Sequence, residues 1–251
     1  MNPRILVLGP ERLDDYLRPY CEALHQVGAE PVRAWFASET PSDVAGLQRF
    51  VESYHGLVLP GGPDVEPWRY GEKPHRRLGR TDPELDEGHL AMAGFALRSS
   101  LPTLAICRGI QVIAVAARAA LYQDLPSQRP SAVAHRAPKP RDALAHEVEV
   151  ERDSRLAALC GSRRFPVNSR HHQAAREGET AGWVGSLRVV ARAPDGVVEG
   201  LEDPDHPFLV AVQWHPENLV EARPEARDLF SGFVAACRHA TCYEGGSHRR
   251  C

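Results

Sequence analysis

A chain of 251 residues carries 30 Lys plus Arg against 33 Asp plus Glu, a net charge of −3, so it has no basic excess to grip a phosphate backbone and does not read as a nucleic-acid binder. With 43% hydrophobic and 25% charged residues its usage is that of an ordinary globular protein, long enough to bury a core without disulfide or metal staples. Six cysteines, at 21, 107, 160, 237, 242 and 251, show no C-x-x-C pair, which argues against a disulfide framework or a zinc ribbon and for reduced, cytoplasmic thiols.

In chain order, Ile5 to Leu8 is a continuous apolar run closed by Gly9-Pro10, the pattern of a strand buried on both faces. It is too short for a signal segment, and no stretch approaches a membrane span of roughly 20 apolar residues. From Glu11 to Val27 the apolar residues Leu13, Leu17, Tyr20, Leu24 and Val27 recur at helical steps, stopped by Gly28. Pro31 to Phe36 and Gly56 to Leu59 read as further strands. Asp82-Pro83-Glu84 opens a helix reaching Arg98, with Asp82 as N-cap and Pro83 in the first turn. Thr103 to Ile106 is another buried strand, followed by a helical stretch from Ile110 to Ala120.

Strands alternating with helices predict a doubly wound α/β fold with a mostly parallel central sheet flanked by helices. Beyond it, His146 to Val150, Leu187 to Ala193, Val197 to Leu201 and Phe208 to Gln213 are strand-like and separated by turn signals, predicting a smaller antiparallel set. A helix from Pro224 to His239 closes a single expected domain, 1–240, leaving a polar tail, 241–251. Two long loops, 60–80 and 128–141, are basic: Arg69, Lys73, Arg76, Arg77 and Arg80 in one, Arg129, Arg136, Lys139 and Arg141 in the other. Such loops read either as functional lids or as solvated faces.

Cys107 stands where a buried strand turns into a helix, at the carboxyl edge of the sheet where open α/β folds bind ligands. The small residues Ala105 and Gly109 on either side suit a nucleophile elbow, and a helix N-terminus behind the sulfur favours the thiolate. A thiol nucleophile needs a base and the base an orienting group. His215 and Glu217 supply both across the rigid Pro216 turn. Gly61-Gly62, at another strand end, can aim backbone N–H groups at a developing oxyanion. Each motif alone has a simpler reading: a buried structural cysteine, a surface turn, a glycine turn.

Taken in order, Pro60-Gly61-Gly62-Pro63-Asp64, Ile106-Cys107-Arg108-Gly109-Ile110-Gln111, His171-His172-Gln173 and Gln213-Trp214-His215-Pro216-Glu217 resemble the class I glutamine amidotransferase superfamily. Leu121-Tyr122-Gln123-Asp124-Leu125 and Val167-Asn168-Ser169-Arg170 add a likeness to its γ-glutamyl-γ-aminobutyrate hydrolase branch, peptidase C26. The resemblance implies Cys107 as nucleophile, His215 as general base and acid, and Glu217 as orienting carboxylate. It implies oxyanion donors from the backbone of Gly61, Gly62 and Arg108. Gln111, Asn168, Ser169, His171, His172 and Gln173 would line the γ-glutamyl pocket. The implied reaction is hydrolysis of a small γ-glutamyl amide through a glutamyl thioester, with no metal, no organic cofactor, no nucleic acid and no membrane, and with homo-oligomerisation open.

This chain departs from the branch where two glycines are usual after the elbow and it has Arg118-Ala119, a change expected to stiffen and reshape the helix exit near the pocket. The leading alternative is a glutaminase subunit that passes ammonia to a separate synthetase, followed by a non-catalytic binding protein on the same fold. Cys237, His239, Cys242, His248 and Cys251 form a string that fits no standard zinc spacing. His146-Glu147 lacks the second histidine of a metalloprotease helix, and His171 and His172, being adjacent, point apart on an extended chain. An arginine from the basic loops, Arg76 and Arg77 or Arg129 and Arg136, is expected to meet a carboxylate on the amine half of the substrate.

Overall fold

Burial on both faces explains why β1 (Arg4–Leu8) shows no polar alternation: Ile5 and Val7 enter one core cluster, Leu6 and Leu8 the other. A 3-10 turn leads into α1 (Asp14–Gln26), which buries Leu17, Tyr20, Ala23 and Leu24, and β2 (Glu30–Ala34) follows. The structure is a computed structural model that describes residues 2–35, 43–137 and 140–240. Phe36, Lys139 and the 241–251 tail with Cys242, His248 and Cys251 lie outside those residues.

The Asp43 carboxylate caps α2 (Val44–Val51), which precedes β3 (Gly56–Leu59). α3 (Pro83–Ala96) begins as the sequence predicts, the Asp82 carboxylate accepting from Leu85 N–H, and β4 (Thr103–Ile106) then leads into α4 (Arg108–Ala116). That helix stops short of the expected Ala120 because Arg118 turns to φ 66, after which the chain enters β5 (Leu121–Tyr122). Arg118, itself exposed, adopts the left-handed backbone that glycine favours, so a non-glycine residue makes this turn under strain.

The second half adds α5 (Leu125–Gln128), β6 (Leu144–Val150), α6 (Arg155–Cys160) and β7 (Arg164–Asn168). The short strands β8 (Ala174–Ala175) and β9 (Trp183–Val184) precede β10 (Leu187–Arg192), β11 (Val198–Glu202) and β12 (Leu209–Val212), and α7 (Pro224–His239) closes the described chain. The main sheet runs β2-β1-β3-β4-β12-β11-β10-β6-β7, with β9 beside β10, while β5 and β8 form a separate pair. From β2 to β12 neighbours are parallel; from β12 outward they are antiparallel, so the antiparallel set extends the same sheet.

α1 and α7 cover one face of the parallel half and α2, α3 and α4 the other. Each buried Leu, Ile or Phe contributes roughly 1.5–3 kcal/mol there. No described helix is long and apolar enough to cross a membrane.

The strand order places the site. β4 lies between β3 and β12, with Ala105 level with Leu59 on one side and Ala211 on the other. Three adjacent strands therefore end together and release Pro60-Gly61-Gly62, Cys107 and Gln213-Trp214-His215 side by side at the carboxyl edge.

Candidate active site

Cys107 sits between strand and helix at φ 55, ψ −105, a conformation that costs a non-glycine residue about 1–3 kcal/mol. Its neighbours hold it there: Cys107 N–H donates to the Val212 carbonyl at 2.8 Å, and its own carbonyl accepts from Gln213 Nε2 at 3.3 Å. Gly109 is required for the close approach, since a Cβ there would collide with the Leu59 carbonyl and stand 3.2 Å from the Ala105 Cβ. Burial pushes the Cys160 thiol up to about 12 and raises those of Cys21 and Cys237, which makes all three poor nucleophiles.

From the adjacent strand end, His215 reaches Cys107 while its Nδ1 meets Glu217 Oε1 at 2.7 Å, with both side chains buried. Pro216 starts a 3-10 turn that folds Glu217 back under the ring. Burial alone would lower the imidazole, but the Cys107 sulfur and then the Glu217 carboxylate outweigh it, and the ring is pushed up to about 9. At neutral pH His215 is therefore an imidazolium, held between the Cys107 sulfur and the Glu217 carboxylate. Asn168 clamps its backbone, accepting from His215 N–H and donating to the His215 carbonyl, each at 3.0 Å. Arg170 stands 3.7 Å from Glu217 on the other side.

The glycine turn packs directly on this pair. A Cβ on Gly61 would strike the Tyr16 hydroxyl and come within 3.4 Å of His215 Cε1. Gly61 N–H donates to the Tyr20 hydroxyl at 3.1 Å, so the donor expected of Gly61 is already engaged. Burial, with Cys107 and Glu217 nearby, raises both the Tyr16 and Tyr20 hydroxyls, which stay protonated. Arg108 is the first residue of α4, where a backbone N–H has no helical acceptor.

The Arg108 side chain turns away from the cleft and is fully buried, donating to Asp86 and, at 2.6 Å, to His89 Nδ1. The far nitrogen of His89 donates to the Leu8 carbonyl at 3.1 Å. Burial and then Arg108 hold His89 far below its usual range, so the ring stays neutral and accepts from the guanidinium. The stem of Arg108 supports Gly62, where a Cβ would stand 2.7 Å from Arg108 Cδ.

Of the six residues expected to line the pocket, only His172 reaches its wall. Gln111 donates to the Gln173 carbonyl and to Gln213, Ser169 donates to the His135 carbonyl, and Gln173 accepts from Val65 N–H. His171 turns into a separate cluster with Glu199. With Asn168 on the His215 backbone, these five are engaged as buried braces in this structure. His172 lies between Asp64, at 3.0 Å, and Asp124, at 3.2 Å.

The cavity in front of Gly62 and Tyr16 measures about 540 Å³ and is walled by Arg77, Arg80, Arg136 and Arg170 together with Asp64 and Asp124. Two of the expected arginines, Arg77 and Arg136, are thus on its wall. Arg129 is instead directed to the Asp195 carbonyl. Tyr16, Tyr20, Asp86 and His89 escape the motif reading, and Arg170 lies in a quoted motif without a role assigned to it. Asp86 and His89, one turn apart on a helix that otherwise buries Leu85, Met92, Ala93, Phe95 and Ala96, were the available signal for the Arg108 anchor.

The profile of the Peptidase C26 family matches residues 10–217. A γ-glutamyl-γ-aminobutyrate hydrolase from Escherichia coli O157:H7 is 37% identical over 229 residues, covering 88% of this chain and 85% of that protein. A protein of the same name, PuuD, from Escherichia coli K12 is 36% identical over 233 residues with the same coverage. Among solved structures, the glutaminase domain of Trypanosoma brucei CTPS with bound acivicin aligns at TM-score 0.65 and 18% identity, covering 94% of each chain.

Proposed function

The chain belongs to the Peptidase C26 family, a hydrolase acting on amide bonds, and from that premise we propose that it cleaves small γ-glutamyl amides with a Cys107-His215-Glu217 triad. The observation that carries the reading is the strained Cys107 elbow facing an imidazole that is bonded on its far side, at 2.7 Å, to Glu217.

The Cys107 thiolate attacks the γ-carbonyl carbon, and the resulting oxyanion is met by the backbone N–H groups of Gly62 and Arg108. The His215 imidazolium gives its proton to the departing amine, leaving a γ-glutamyl thioester on Cys107 and a neutral ring. That ring then takes a proton from water as it attacks the thioester, and collapse returns glutamate, the thiolate and the imidazolium. No step needs a metal or organic cofactor. One α/β unit, 1–240, houses the whole reaction.

The four pocket arginines support a substrate with carboxylates on both halves, the α-carboxylate of the glutamyl group and an acid on the amine, as γ-glutamyl-γ-aminobutyrate has. A panel of γ-glutamyl amides with acidic, neutral and polyamine leaving groups, followed by mass spectrometry, tests the reading. Glutamate release from the acidic amides with a Cys107-linked glutamyl adduct is expected, and Cys107→Ala abolishes both. Turnover that survives Cys107→Ala would sink the mechanism. Ammonia release from glutamine only when a partner is added would replace the hydrolase by the glutaminase reading.

A further inference from the structure

Behind the pocket wall, three histidines converge on one carboxylate. His135 Nδ1, His146 Nε2 and His171 Nε2 lie 3.3, 3.5 and 3.4 Å from the same oxygen, Glu199 Oε1. The ligand-capable atoms of the four residues all fall within 4.8 Å of one another, and every side chain is nearly or wholly buried.

None of these contacts is a made hydrogen bond: the three facing nitrogens and both Glu199 oxygens are buried without a partner. Leaving five buried polar atoms unsatisfied in one spot is costly, and such groups call for an occupant. The outer nitrogens identify it. His135 Nε2 lies 2.9 Å from Asp195 Oδ2, His146 Nδ1 lies 3.0 Å from the Glu147 carbonyl, and His171 Nδ1 lies 2.9 Å from the Gln173 carbonyl.

All three outer partners can only accept, so each outer nitrogen carries the ring hydrogen and each inner nitrogen of a neutral ring presents a lone pair. Three lone pairs and a carboxylate directed at one point repel each other unless a cation stands among them. Protonating the rings would require up to three buried imidazoliums around a single carboxylate.

We propose that His135, His146, His171 and Glu199 form a closed four-ligand site for a divalent transition-metal ion, zinc fitting best, which fastens the 129–137 loop and the Asn168–Gln173 segment to β6 and β11. Ligands about 2.0–2.1 Å from a tetrahedral zinc ion stand about 3.3–3.4 Å apart, the spacing seen around Glu199 Oε1. Three imidazoles and one carboxylate suit zinc, whereas calcium and magnesium take all-oxygen shells. Outer hydrogen bonds to a carboxylate and to backbone carbonyls are the usual support for metal-bound histidine. Charge also closes, since a divalent ion offsets Glu199 and the adjacent Asp195. The absence of an open coordination position makes this a structural site, apart from Cys107.

The sequence reading sets His146 aside for want of a second helical histidine, and His171 because its neighbour points the other way. The fold supplies the missing ligands from the loop before β6 and from β11. The adjacent His172 and Arg136 line the substrate cavity, so the ion would fix that wall from behind.

Metal analysis of the full chain, stripped with a chelator and reloaded with zinc alone, is expected to give about one zinc per chain. Each tenfold excess of free zinc over its dissociation constant should raise Tm by about 3–5 °C. Cobalt loading of the wild-type chain is expected to give tetrahedral visible bands without a thiolate charge-transfer band. His146→Asn and Glu199→Gln should each lose stoichiometric zinc. Binding of less than about a tenth of an equivalent with no Tm shift would overturn the site, leaving the cluster held by protons alone. A thiolate band, or zinc stoichiometry unchanged in both variants, would overturn it in favour of the cysteines.

Discussion

His215 lies against the Cys107 sulfur and Glu217, and its raised pKa sets a pH dependence whose sign follows from the shift. The imidazole is held near 9 in the folded chain against 6.5 in an unfolded one, because the Cys107 sulfur and Glu217 outweigh the opposing effect of burial. A raised histidine stabilises the fold fully below about pH 6.5 and loses that contribution as pH rises through about 9. Amide hydrolysis should fall over the same alkaline limb, since the leaving amine needs the imidazolium proton. Nuclear magnetic resonance titration should find His215 titrating at lower pH in Cys107→Ser than in the parent chain. An unchanged titration would mean that the sulfur does not face the ring. The proposed triad was legible because Cys107 and His215 follow buried apolar strands and Pro216 sets Glu217 in the turn behind the ring. The braces were not: Asn168 meets a backbone 47 residues away, and its polarity alone says nothing about which way it points.

α3 and α4 meet through a buried ion pair, and the effect of breaking it belongs to both helices. Asp86 is wholly buried, accepts from Arg108 and also, at 2.9 Å, from Glu66 N–H. Desolvation raises its carboxyl even against the pull of Arg108, so the pair is costly to bury and costlier to halve. Asp86→Ala should destabilise the chain by about 3–5 kcal/mol and lower Tm by about 10 °C, as the guanidinium under Gly62 loses its anion. A thermal melt that moves by less than about 2 °C would show that Arg108 finds other partners. The central strands Gly56–Leu59 and Thr103–Ile106 could be read to the residue because two-face burial leaves an unbroken apolar run. β7 could not, since Pro166 sits in its middle. It lies at the end of the sheet, paired only with β6, and an edge strand tolerates proline. α4 was read too long because Ala116 to Ala120 has helical propensity that the turn at Arg118 overrides.

Across the whole molecule the net charge is −3, yet the cavity gathers Arg77, Arg80, Arg136 and Arg170 against Asp64 and Asp124. A basic concavity in an acidic body focuses potential at the cleft, attracting anionic substrates while the rest of the surface repels them. Part of that charge is already committed: Arg170 lies 3.7 Å from Glu217, and Arg77 is 3.9 Å from Asp124. Arg80 and Arg136 have no ion-pair partner among the described residues, which leaves both cations free for an incoming carboxylate. The consequence is selective. Raising ionic strength from about 0.05 to about 0.5 M shortens the screening length from roughly 14 to roughly 4 Å. KM for γ-glutamyl amides with an acidic amine half should rise several-fold over that range, with kcat little changed, while neutral amides respond less. Arg80→Ala combined with Arg136→Ala should reproduce the rise at low salt and remove most of the salt dependence. Equal salt responses for acidic and neutral amides would mean that the arginines hold only the glutamyl α-carboxylate common to both, and the second carboxylate would no longer define the substrate.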